Sequence, residues 1–90
     1  MGRYTYSASA SKAALPKPLG CEFRLLNLAP QGGFEEIGMV SAPEGERVDT
    51  PEAFKGAISD SVCRAGGDVV ITQINGAGYY VRGTVLRKAE

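Results

Sequence analysis

CRAGGDVVITQINGAGYYVRGTVLR, residues 63–87, holds a helix end, two strands and the turn between them in unbroken succession. Gly66 and Gly67 follow the apolar Ala65, and glycine at that place takes the left-handed conformation that ends a helix without a Cβ clash. Val69 to Ile74 is rich in β-branched residues and reads as a strand. Tyr79 to Arg87 reads as a second strand, with Asn75-Gly76-Ala77-Gly78 supplying the positive-φ positions of a hairpin turn. Along it Tyr79, Val81 and Val85 share the parity expected to face the core, while Tyr80, Arg82, Thr84, Leu86 and Lys88 share the solvent parity.

Working upstream, Thr50-Pro51-Glu52 opens a helix: Thr50 as N-cap, Pro51 at the first helical position, Glu52 in the positive first turn. On a 3.6-residue wheel Phe54, Ala57, Ile58, Ser61, Val62 and Ala65 share the face expected to pack on the sheet. Cys63 falls roughly opposite Phe54, on an outer face with Gly56 and Ser59. The small residues there leave room for the connector before Cys21, or the N-terminal arm, to cross.

Further upstream, Ser41 to Asp49 is polar and aperiodic and marks an exposed loop. Phe34 to Val40 reads as a strand with Ile37 and Met39 on one face and Glu35 on the same parity. Cys21 to Leu25 alternates and continues to Leu28 after a one-residue slip, as at a bulge or a strand end. Ala29 to Gly33 is a turn cluster, so these two strands are expected to form a hairpin. Lys12 to Gly20, with Pro16 and Pro18, is a connector. Tyr4, Tyr6, Ala8 and Ala10 alternate with Thr5, Ser7, Ser9 and Ser11, which fits either a half-buried strand or a flexible Ser/Ala tail.

The expected architecture is α+β: a small, mostly antiparallel sheet of four to five strands against one helix, in ββαββ order. Residues 1–20 form an arm and connector, and 21–90 a single domain. At 90 residues, burial alone leaves such a domain marginal.

Ten basic and ten acidic residues cancel, so no polyanion partner is implied by overall charge. No apolar run reaches the roughly 20 residues of a membrane-spanning helix. The start Met1-Gly2-Arg3 suits a chain from which an export signal was removed as well as a natural start, and Tyr6 stands where a myristoylation pattern needs Ser or Thr. Histidine is absent, which removes His-based acids, bases and metal ligands. Cys21 and Cys63 are too far apart for a C-x-x-C redox or zinc pair, leaving a disulfide or two separate thiols. Position and the need for bracing favour the bridge, and with it an oxidising compartment.

Gly76-Ala77-Gly78 begins like a dinucleotide fingerprint, but a strand follows it and the third glycine is missing. Cys63 sits at the negative end of a helix with no base, and Glu35 and Glu36 point to opposite faces of a strand, so neither supports catalysis. No catalytic residue, metal ligand or cofactor motif is assigned. Arg24, Tyr80 and Arg82, with Lys88, form the one candidate ligand surface, a basic and aromatic sheet face of the kind that stacks bases or sugars.

A helix running through Cys63-Arg64-Ala65-Gly66-Gly67-Asp68 into Val69-Val70, within a terminal βαββ segment, resembles small bacterial cell-envelope lipoprotein domains. These include the outer-membrane sensor lipoprotein of the Rcs stress phosphorelay, which has more cysteines. The resemblance implies a periplasmic or outer-membrane-associated domain, with any lipid anchor supplied by a precursor, and it implies no enzymatic activity. The expectation is therefore a non-enzymatic binding or assembly domain whose partner is a protein or a second copy. The alternative is a small cytoplasmic nucleic-acid- or sugar-binding module.

Overall fold

A computed structural model describes residues 4–8, 16–18, 20–28, 32–43 and 48–88. They form one five-stranded sheet with one helix, in the order β1 (Thr5–Ala8), β2 (Arg24–Leu26), β3 (Phe34–Ser41), α1 (Pro51–Ala65), β4 (Val69–Ile74) and β5 (Tyr80–Lys88). The spatial order is β1-β3-β5-β4-β2. Three neighbouring pairs are antiparallel and β2 with β4 is parallel. The α+β class and the single helix agree with the sequence pattern, and the alternation at Tyr4 to Ala8 is a strand that joins the same sheet. Its continuation at Ser9 to Ser11 lies outside the described residues.

The helix boundaries follow from their local chemistry. The Thr50 hydroxyl accepts from the Ala53 amide at 3.2 Å, and Pro51 opens the first turn. At the other end Gly66 is left-handed, with φ 79°. Its N–H donates to the Cys63 carbonyl while the Gly67 N–H donates to the Val62 carbonyl, the two bonds of a Schellman motif. Gly67 is small for a different reason. A Cβ there would meet Val85 Cγ1 at 2.6 Å, so the chain turns from helix to strand directly over the core.

Phe54 sits at the centre of the core. Its ring meets Tyr4 edge-on at 5.2 Å between centroids and stacks on Tyr80 at 4.9 Å, above Gly83. Ile58, Val62, Val40, Val70 and Val85 complete the fully buried layer. The expected helix face packs on the sheet through Phe54, Ile58 and Val62, with Ala65 against the same cluster, but Ala57 is exposed; Cys63, on the far side from Phe54, is fully buried.

Three other expectations are corrected. β2 and β3 do not form a hairpin: β2 lies at one edge beside β4, and β3 pairs with β1 and β5. The intervening Ala29, Pro30 and Gln31 lie outside the described residues. In β3 the register shifts between Glu36 and Gly38, so Ile37 is the extra residue and Val40, not Met39, enters the core. A second shift sets Gln73 opposite Arg82 but Ile74 opposite Tyr80, leaving Val81 as the extra residue on β5. Each bulge reverses the inside and outside parity beyond it. That reversal puts Tyr80 under the helix.

Candidate functional site

The three residues expected to form a ligand surface are not brought together. Tyr80 is buried on the helix side, its ring on Phe54. Arg24 and Arg82 are exposed on the opposite face. Arg24 pairs with Val69, and Val69 with Leu86, which is four residues from Arg82 along β5. That spacing puts the two arginines about 13 Å apart along the strands and about 10 Å across them. Tyr80 is therefore missing as the aromatic member between the two arginines, and the half-buried Phe34 lies on that face only at its far end, opposite Lys88. Lys88 is exposed at the far end of β5, and its amide donates to the Asp68 carboxylate at 2.8 Å.

What the architecture does create, among the described residues, is a groove on each flank of the helix. One helix is about 10 Å across, whereas five strands about 4.8 Å apart span roughly 19 Å. The helix therefore leaves both edge strands uncovered. Beside β1 a groove of about 310 Å³ runs between Tyr4 and the Gly56, Ala57, Asp60, Ser61 and Arg64 flank of the helix. Gly56 was expected to lie under a crossing chain, but a Cβ built there meets nothing within 4 Å among the described residues.

Beside β2 lies a second groove, of about 380 Å³, between Phe23, Arg24 and Leu25 of the edge and Pro51, Glu52 and Lys55 of the helix. Its floor is apolar, because Phe23 is buried and Leu25 packs on the core cluster. The Lys55 ammonium stands 5.1 Å from the Phe23 ring centroid and 4.0 Å from the Glu22 carboxylate. Just past the strand, Leu28 is 81% exposed. Edge position and groove were invisible to local pattern, since alternation within Cys21 to Leu25 says nothing about which strand lies alongside.

The β2 edge is stapled to the helix. Cys21 and Cys63 form a disulfide with their Cα atoms 5.8 Å apart, within the range a bridge requires. The connector crosses the helix at this point rather than at Gly56. The Lys17 amide donates to the Cys63 carbonyl at 2.7 Å, and Lys17 Nζ donates to the Gly67 carbonyl at 3.1 Å and to the Asp68 carboxylate. Burial by itself would raise the Asp68 pKa. The hydrogen bonds from Lys17 and from the Lys88 amide, with the charges of both lysines, outweigh it and hold the carboxyl below its ordinary value.

Among the described residues no group of three or more His, Cys, Asp or Glu is placed to hold a metal ion, and no helix is long and apolar enough to cross a membrane. Compared with protein families, curated proteins and solved structures, the chain matches none.

Proposed function

We propose that the chain is a non-enzymatic binding or assembly domain of an oxidising compartment, the bacterial cell envelope, and that its partner is a protein rather than a nucleic acid or sugar. The observation that carries the choice of partner is the burial of Tyr80. It takes away the aromatic residue expected beside Arg24 and Arg82 for a base or sugar to stack on, while an edge strand beside an open, apolar-floored groove remains for a polypeptide. The disulfide supports the compartment, because such bridges persist where thiols are not kept reduced.

Two measurements test this. In the first, ¹⁵N-labelled protein is titrated with oligo-dT and with a neutral oligosaccharide, while sedimentation is followed over a range of protein concentrations. The proposed reading expects no saturable shifts around Arg24 and Arg82, together with self-association or capture of extended peptides. Saturable oligonucleotide or sugar shifts there would select the cytoplasmic alternative instead. The second is maleimide labelling of the denatured, unreduced protein taken from its native host. No reactive thiol is expected, and two per chain would place the protein in a reducing compartment.

A further inference from the structure

Resting on the protein-binding reading, we infer that the outer edge of β2 accepts an extended peptide as a sixth strand, and that this peptide alternates apolar residues with acidic ones.

The backbone sets the first half of this. The Arg24 amide donates to the Asp68 carbonyl at 3.1 Å. In a parallel ladder alternate residues turn both backbone groups the same way, so Arg24 and Leu26 turn theirs toward β4. Leu25 then turns its N–H and C=O outward. One residue of an added antiparallel chain can exchange both bonds with Leu25, the close pairing of an antiparallel ladder.

Side chains set the second half. Leu25 pairs with Val70 on the helix side, and with Phe23 it makes the groove floor, walled by Pro51 and Lys55. Every second residue of an added strand faces that floor and is selected to be apolar. The residues between them face the other way, toward Arg24. Arg24 is exposed and has no ion-pair partner among the described residues. The neighbouring cation, Lys55, is already opposed by Glu22. An acidic residue opposite Arg24 is therefore the complementary choice. The β1 edge is less suited, since its exposed residues Thr5 and Ser7 offer no charge for a partner side chain to oppose.

The test titrates oxidised ¹⁵N protein with three blocked probes: acetyl-VEVEVEV-amide, acetyl-VKVKVKV-amide, and the acidic peptide N-methylated at alternate residues. The acidic peptide is expected to shift the amides of residues 23–26 and 52–55, and to slow exchange of the Leu25 amide by at least about tenfold. Arg24→Glu should weaken that peptide by at least about tenfold and favour the lysine peptide. N-methylation should abolish binding to the wild type. Leu25→Pro removes the outward donor while sparing the ladder to β4, and should also abolish it. Should that variant fold poorly, the Arg24→Glu and N-methyl arms still decide.

Binding indifferent to N-methylation, or no saturable shift with any probe at millimolar concentration, overturns the inference. Shifts confined to Thr5–Ala8 overturn the β2 assignment and leave the protein-binding reading standing. Saturable oligo-dT binding at Arg24 and Arg82 overturns the reading itself.

Discussion

β1 and β2 close opposite edges of the same sheet, and they are held there by unlike means. β1 pairs with β3 along all four of its residues. The Tyr4 hydroxyl donates to the Tyr80 carbonyl at 2.5 Å, and the Tyr6 hydroxyl donates to the Ile37 carbonyl at 3.0 Å. The Tyr4 ring also packs on Phe54. β2 has only three ladder positions, all parallel, and depends on the buried Phe23, the Cys21–Cys63 bridge and the Lys17 to Asp68 contact just before it. Where the ladder is short, a covalent link and charged contacts add to the packing of a single ring. An edge fixed in this way is tied down from one side yet turns its outer backbone groups to no partner among the described residues, which suits a docking strand.

The largest break in this comparison is removal of the bridge. Closing a loop across the 42-residue separation stabilises the fold by about 4 kcal/mol on the chain-entropy argument. Cys21→Ala with Cys63→Ala should lose about that much in urea unfolding. Hydrogen exchange should also show amides of residues 23–26 opening ahead of the rest, with β1 and β3 keeping their order of protection. Equal loss at both edges would mean that the bridge acts on the unfolded chain alone.

Tyr4→Ala is the converse. Loss of a buried ring should cost about 3 kcal/mol, with β1 amides losing protection while β2 stays closed. Gly83→Ala falls between the edges. A Cβ there would lie 2.6 Å from Val70 Cγ1 and 3.1 Å from Phe54 Cζ, and overpacking of this kind should cost about 2 kcal/mol. The melting temperature should fall with no preference for either edge, and a change localised to β1 or β2 would show that the helix seat is not shared between them.

The same contrast explains how much could be read from sequence. Thr50-Pro51, Gly66, β4 and the turn after it were legible because each is set by residues a few positions apart. The Asn75 side chain, for example, accepts from the amides of Ala77 and Tyr79, both at 3.0 Å. The disulfide was legible from where its cysteines fall and from how little else braces the chain. Two kinds of fact were not legible. Partner choice is non-local, so the alternation in Cys21 to Leu25 looked like half of a hairpin when its neighbour was β4. Parity fails at a bulge, because the extra Ile37 and Val81 reverse every assignment counted across them. That is how Tyr80 came to be placed in solvent, and the candidate ligand surface depended on it. The β2 groove follows from the first of these, the place of β2 beside β4 at the sheet edge, and had no signature in the residues that line it.

The smallest effect concerns Asp68, the carboxylate that ties the connector to the far end of β5. Its side chain and that of Lys17 are each 32% exposed, so the ion pair is partly screened and worth about 1 kcal/mol at most. Asp68→Asn keeps an acceptor for the Lys88 amide but loses the charge. Because the folded-state pKa of Asp68 is lowered, its contribution is fully present above the unfolded value of about 3.9. It disappears as the pH falls through the folded value. The variant should therefore be less stable than the wild type by up to about 1 kcal/mol at pH 7, with the gap closing below about pH 4 and shrinking in about 1 M salt. Denaturant titrations across that range measure it. A gap that persists at pH 2 would assign the role of Asp68 to packing and backbone geometry, leaving the bridge and Phe23 to hold the β2 edge without help from charge.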